Sequence, residues 1–191
     1  MKNKGFTLVE LMVTVSIIGL LSVVVFANYR AGEKQFALQR SAHQLAQDIR
    51  RVQNMAMATA ECPGGTGCAG IVPSGYGIIL RRPADWKYKY RLYADIDGDN
   101  AFSDSNDTVI ELIDLEKGVF IKAIRRPSPP NPNFTWGCIN FKPPDPIVNI
   151  SLRDPDAYSA QLWTKITLAL ESDDTKIKTV KINAVGLIEI E

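Results

Sequence analysis

The residues best suited to chemistry lie between positions 93 and 107. In Tyr93-Ala94-Asp95-Ile96-Asp97-Gly98-Asp99-Asn100 three carboxylates alternate with other side chains. Oxygen ligands at positions 1, 3 and 5 of a loop are how an EF-hand grips calcium, so Asp95, Asp97 and Asp99 form a partial calcium motif. The match then stops, because position 6 is Asn100 instead of glycine and position 12 is Asn106 instead of glutamate. The competing expectation is an acidic turn whose carboxylates cap backbone N–H groups. Apart from this calcium candidate, no cofactor is expected.

Other chemistry has little to stand on. The 191 residues include one histidine, His43, which excludes any site built from two imidazoles. Three cysteines, Cys62, Cys68 and Cys138, are one short of a closed all-cysteine zinc site. A cysteine nucleophile wants a nearby base, and His43 falls in a predicted helix away from all three. Gly-x-Ser-x-Gly, Walker and His-Glu-x-x-His motifs do not occur, so no enzyme is expected. The formal charge of +1 offers no global field for nucleic acid. Lys87, Lys89 and Arg91 alternate with Trp86, Tyr88 and Tyr90. That alternation predicts a strand with an aromatic core face and a soluble outer face rather than a nucleic-acid platform. Arg81-Arg82 and Arg125-Arg126 read as solvated strand ends.

Glu10 is the remaining residue of interest. It is the one ionisable side chain in an apolar run from Phe6 to Ala27, which follows Lys2 and Lys4. Twenty-two residues at ~1.5 Å each reach roughly 33 Å, about one hydrocarbon core. The two lysines favour a cytoplasmic amino end with the rest of the chain on the far side. A carboxylate within such a span costs roughly 2.5–3.5 kcal/mol. Nothing inside the run neutralises it, and a cation from another chain would.

The elements that must position these residues follow from pattern. Leu38, Ala42, Leu45, Ile49, Val52 and Ala56 form one apolar stripe, predicting an α-helix that continues from about residue 6 to about residue 60. Gly19 and Gly32 are its weak points. After Glu61, Cys62-Pro-Gly-Gly-Thr-Gly-Cys68 ends the helix. Strands are predicted at 76–82, 87–94, 108–115, 119–125, 138–142, 148–152, 160–170, 176–182 and 187–190, with turns at 172–175 and 184–186. The proline-rich stretch 127–135 reads as a surface excursion. The expected fold class is α+β, a long amino-terminal helix with a membrane-spanning first half on an antiparallel, sandwich-like head. Its parts are a leader at 1–5, a membrane half at 6–28, an amphipathic half at 29–60 and a head at 61–191.

Gly5-Phe6-Thr7-Leu8-Val9-Glu10, behind a short basic leader, resembles the processing signal of type IV pilins and type II secretion pseudopilins. The resemblance implies cleavage after Gly5 by a prepilin peptidase and methylation of the new terminal amine on Phe6. It also implies that Glu10 pairs with a neighbouring subunit's terminal amine during assembly. Arg51-Val52-Gln53-Asn54-Met55-Ala56, the 93–100 segment and Thr179-Val180-Lys181-Ile182-Asn183-Ala184-Val185-Gly186-Leu187-Ile188 are similar to the GspH/FimT group of minor pilins and pseudopilins. Partners implied are other subunits, the peptidase, the inner-membrane assembly platform and the membrane itself. The location implied is the inner membrane, then a periplasmic pseudopilus or surface pilus. The alternative function is a filament-tip module whose head touches DNA, a surface or a secreted protein. Some members of the group bind DNA through arginines after the last glycine, but Leu187-Ile188-Glu189-Ile190-Glu191 is apolar and acidic, which argues against nucleic acid. In an extracytoplasmic head disulfides persist, and a Cys62–Cys68 bond is expected. The rival pairing joins Cys138 to one of them.

Overall fold

The computed structural model describes residues 5–126, 133–143, 148–154 and 157–191; the side chains at 24, 26–31, 153–154 and 157–161 lie outside that description. Lys2, Lys4 and residues 127–132 of the proline-rich stretch are likewise outside the described residues. Helix α1 runs Leu8–Met57, and the chain divides into two compact units, residues 1–36 and 37–191.

In the first unit the helix starts on Thr7, whose Oγ1 accepts a hydrogen bond from Glu10 N at 3.3 Å, an N-cap that satisfies one of the orphan donors of the first turn. The hydroxyls of Thr14, Ser16 and Ser22 each donate back to a carbonyl three or four residues earlier. Gly19 and Gly32 are both helical. The described large apolar side chains from Phe6 to Val25 are 51–74% exposed. Among the described residues no helix is long and apolar enough to cross a membrane.

Among the described residues the second unit contains ten strands: β1 Gly75–Arg81, β2 Lys89–Asp95, β3 Thr108–Asp114, β4 Val119–Arg125, β5 Trp136–Phe141, β6 Val148–Asp154, β7 Ala157–Gln161, β8 Trp163–Leu170, β9 Asp173–Asn183 and β10 Ile188–Ile190. They form a six-stranded sheet in the order β3-β2-β1-β5-β6-β7 and a four-stranded sheet in the order β10-β9-β8-β4. Every pairing is antiparallel. The predicted stripe on α1 is buried from Leu38 to Ala56. It shares one core with Ile78, Leu92 and Ile139 of the larger sheet and with Ile121, Ile166 and Val180 of the smaller one. Burying a leucine or isoleucine contributes roughly 1.5–3 kcal/mol, so this stripe is what fixes the helix to both sheets.

Three expectations about elements need correction: the predicted turn at 172–175 gives way to β9, which already begins at Asp173. The predicted strand 160–170 is two strands, β7 and β8, separated at Leu162. The predicted strand 87–94 begins only at Lys89, because Ala84–Tyr88 is a short 3-10 helix after Pro83. Proline fixes its own φ and lacks an N–H, and Ala84 follows it at φ +48, so strand pairing cannot extend back through this point. Trp86 and Tyr88 therefore leave the face on which Tyr90 and Leu92 enter the core.

Candidate functional site

At the amino end, Gly5 and Phe6 precede the helix, with Phe6 exposed and nothing within 4 Å of a Cβ built on Gly5. Glu10 lies in the first turn of α1, where the helix macrodipole favours a negative charge. Among the described residues its carboxylate has neither a hydrogen-bond donor nor an ion-pair partner. Thr7 followed three residues later by Glu10 is a capping signature in its own right.

The acidic triad is brought together. Asp95, Asp97 and Asp99 each place one carboxylate oxygen so that the three lie within 4.8 Å of one another. Asp95, at the end of β2, is buried. Its Oδ1 accepts from Gly98 N at 2.7 Å and its Oδ2 from Asn100 N at 3.1 Å and from Asn140 Nδ2 at 2.5 Å. Asp97 accepts from Asp99 N and from Asn106 Nδ2, and Asp99 from Ala101 N. The expected capping of backbone N–H groups is thus present, and Asp95 Oδ2, which accepts twice, has no lone pair to spare. Asp107 closes the loop by accepting from Ile96 N at 3.1 Å and Ser103 N at 2.7 Å. Burial pushes the Asp95 carboxyl up, against the pull of Gly98, Asn140 and Asn100. Burial, with Asp95 and Asp97 nearby, raises Asp107 to about 6.

This loop is seated on the outer face of the six-stranded sheet by a second, smaller core. Phe102 reaches down to Ile79, Tyr93 and Cys138, with its ring edge-on to Tyr93 at 5.1 Å. Gly77 makes room for that arrangement: a Cβ there would stand 2.4 Å from the Tyr93 ring. Cys138 carries a free, buried thiol that burial pushes up to about 12, so it is inert at neutral pH. Cys62 and Cys68 are joined, with Cα atoms 5.6 Å apart, which closes the loop after the helix as expected.

The basic residues do not form a free strip. Arg81 stacks on Trp136 at 3.9 Å and Arg91 on Trp86 at 4.0 Å. Both then converge on Asp104, at 3.1 and 2.9 Å. Burial alone would raise Asp104, but the two guanidiniums outweigh it and hold the carboxyl below its ordinary range. Arg81 is accordingly not a solvated strand end; its side chain is 11% exposed. Arg82 is tied to the carbonyls of Asn133 and Phe134. The acidic tail is also engaged, Glu191 with Lys165 and Glu189 with Lys181. His43 lies on the exposed face of α1.

Residues 1–26 match the family model described as the prokaryotic N-terminal methylation motif. The matched segment holds Gly5, Phe6 and Glu10 and ends before either sheet begins. No curated protein matches the chain, and no solved structure does. The methylation motif supports a pilin-type, membrane-anchored precursor and leaves the head without a named relative.

Proposed function

We propose that this chain is a non-enzymatic, pilin-like structural subunit, cleaved after Gly5 and methylated on Phe6 by a prepilin peptidase. It then assembles through its amino-terminal helix. The observation that carries this reading is the methylation motif at residues 1–26, coupled to an apolar run, Phe6 to Ala27, whose one acidic residue, Glu10, has no partner among the described residues. In this reading residues 6–28 insert in the inner membrane, with the amino end cytoplasmic and the head extracytoplasmic. The sequence supports it by continuing apolar from Phe6 to Ala27. Glu10 then meets the terminal amine of an adjacent subunit in a low dielectric, where such a pair is strong. The hydroxyls of Thr14, Ser16 and Ser22, already bonded to the helix backbone, suit the same medium, since lipid offers them no alternative partner.

The finer assignment is a minor subunit of the GspH/FimT type, serving a type II secretion pseudopilus or a type IV pilus. It rests on the three similar segments and on two antiparallel sheets sharing one core with α1 in the head. The partners are other subunits, the peptidase and the inner-membrane assembly platform. Mass spectrometry of the membrane-extracted chain tests the processing step. A mature chain beginning at a methylated Phe6 is expected, and an intact leader in assembled protein would overturn the mechanism.

A further inference from the structure

We propose that Arg82, Arg125 and Arg126 form a phosphate-binding site at one end of the second unit, and that the group it meets is a phospholipid headgroup. The three arginines converge on one short segment. Arg82, just past β1, donates to the carbonyls of Asn133 and Phe134. Arg126 stands over the ring of Phe134, 5.6 Å from its centre, and Arg125 pairs with Asn133 in a backbone bridge. The segment is held from both sheets: Phe134 N donates to Ile124 O of β4, and Arg82 N donates to Thr135 O. Phe134 itself is buried. Arg40, Arg51, Arg81 and Arg91 each hold a carboxylate. Among the described residues no carboxylate pairs with Arg82, Arg125 or Arg126, and residues 127–132 carry no ionisable side chain.

Two further observations set this cluster apart from ordinary surface arginines. The Nε donors of Arg82 and Arg126 are both buried without an acceptor, although a buried donor is costly to leave unmatched. Burial lowers the Arg82 pKa from its ordinary value, and the nearby Arg125 guanidinium lowers it further. Like charges are therefore gathered on a rigid support with no described anion to offset them. An oxyanion supplies what they lack. A carboxylate can be saturated by a single guanidinium fork, whereas the several oxygens of a phosphate accept from more than one arginine at once. Three arginines on one segment therefore suit phosphate.

The position of the cluster selects the source of the phosphate. Within the second unit α1 runs opposite to β1. The Tyr76 hydroxyl, near the start of β1, donates to Ala60 O just past the helix. Tyr90, paired with Leu80 near the end of β1, bonds Asp48, and Ser41 accepts from Glu116 N just past β3. Passing from residue 60 back to residue 41 thus leads toward the end of β1 where Arg82 stands. At that end the chain enters the unit, at Ala37. Ala27, the last residue of the apolar run, comes ten residues earlier, about 15 Å along a helix. Headgroup phosphates are therefore within reach of the arginines, and an anionic lipid surface attracts them. The arginine site does not depend on the function proposed above. Its lipid source does, through insertion of residues 6–28.

The first test titrates inorganic phosphate into the full chain in an uncharged detergent, with ionic strength held constant by chloride. Phosphate at about ten times its Kd should raise Tm by about 3–6 °C, and acetate should do much less. Arg125 is exposed, so Arg125→Gln should fold as the wild type does and weaken phosphate about tenfold, as loss of one charge-assisted contact does. Arg82→Gln should weaken it further, and Arg126→Gln takes its place if that variant fails to fold. No phosphate response, an equal response to acetate, or an unchanged response in Arg125→Gln overturns the site. The second test places the full chain in vesicles of phosphatidylcholine, alone or mixed with anionic phosphatidylglycerol. Flotation with both kinds reports insertion. Amide exchange at residues 133–135 should slow only where phosphatidylglycerol is present, and Arg125→Gln should abolish the slowing. Equal exchange in chain that floats overturns the lipid source while insertion stands. Failure to float with either kind overturns insertion and the lipid source together, and the phosphate titration then judges the arginines alone. Duplex DNA bound by the wild type and released by Arg125→Gln would likewise overturn lipid as the partner.

Discussion

Leu45, Ile78 and Ile166 in the second unit have no exposed surface, whereas Leu8, Leu20 and Val23 in the first are at least 70% exposed. The acidic residues reverse this relation. Asp95 is buried and accepts three hydrogen bonds from its own unit, and Asp104 holds two arginines. Glu10, in the first unit, has none among the described residues. A unit that buries a continuous apolar core and bonds carboxylates such as Asp95 and Asp104 internally is held together from within. An apolar run, Phe6 to Ala27, that exposes its side chains and leaves the Glu10 carboxylate unmatched among the described residues calls for an apolar medium and a cation from outside. The difference separates residues kept for folding from residues kept for assembly.

The strongest way to break this contrast is to remove the unmatched charge. Replacing Glu10 with valine makes the helix cheaper to insert, so the chain should still reach the membrane, but it removes the attraction to a neighbour. Blots of sheared filaments should find the variant absent, and its normal incorporation would sink the role given to Glu10. Gly5→Val should leave uncleaved precursor in the same fractions.

Next in size is the apolar contrast itself. Leu45→Ala opens the core beneath both sheets and should destabilise the chain by about 2–5 kcal/mol. Leu11→Ala removes the same atoms from the exposed part of the same helix, and it should leave the denaturant midpoint of the head unchanged. Equal losses in the two variants would mean that the units are not energetically distinct. A third, smaller effect concerns the Cys62–Cys68 bond. Its short loop limits the entropy it removes from the unfolded chain, so Cys62→Ser/Cys68→Ser should cost about 2 kcal/mol. Peptide mapping without reductant should find Cys138 unbridged, and a bridge to Cys138 would replace the pairing.

How much of this was legible in the sequence depended on whether a feature is local. The stripe from Leu38 to Ala56 predicted the buried face of α1 because helical periodicity needs only near neighbours, and β4 falls on its predicted residues for the same reason. Gly5-Phe6 and Glu10 were legible as a motif of fixed spacing. The sheet partners were not. Asn140 stands 45 residues from Asp95, and nothing in its own surroundings marks it as the residue that reaches into the acidic loop. Arg81 and Arg91 looked solvated because Asp104 and the two tryptophans meet them only through sheet pairing and the 96–107 loop. The misplaced start of β2 has a local cause instead: Pro83 outweighed an alternation that otherwise suited a strand.

The smallest expected effect lies where α1 meets the sheet, and it sharpens the comparison from the head's side. Asp48, half-buried on the helix, accepts a short hydrogen bond from the hydroxyl of Tyr90 on β2. Burial pushes its carboxyl above the ordinary value. Tyr90 and Arg51 pull it down without cancelling that rise, and Glu111, itself paired with Arg51, adds to it. A carboxyl whose folded value is raised takes up a proton more readily in the folded chain than in the unfolded one. Its stabilising contribution is therefore full below the unfolded value, near pH 4, and is lost as pH rises through the folded value. Asp48→Asn keeps the shape of the side chain and removes the titration. Urea unfolding of the intact chain at a series of pH values from about 4 upward should thus find the stability of Asp48→Asn gaining on the wild type as pH rises. Tyr90→Phe takes away the hydrogen bond that most opposes the rise, so in that background the same gain should be steeper. A difference between Asp48→Asn and wild type that stays flat or falls with pH would place Asp48 with the carboxylates that the head fully satisfies when charged.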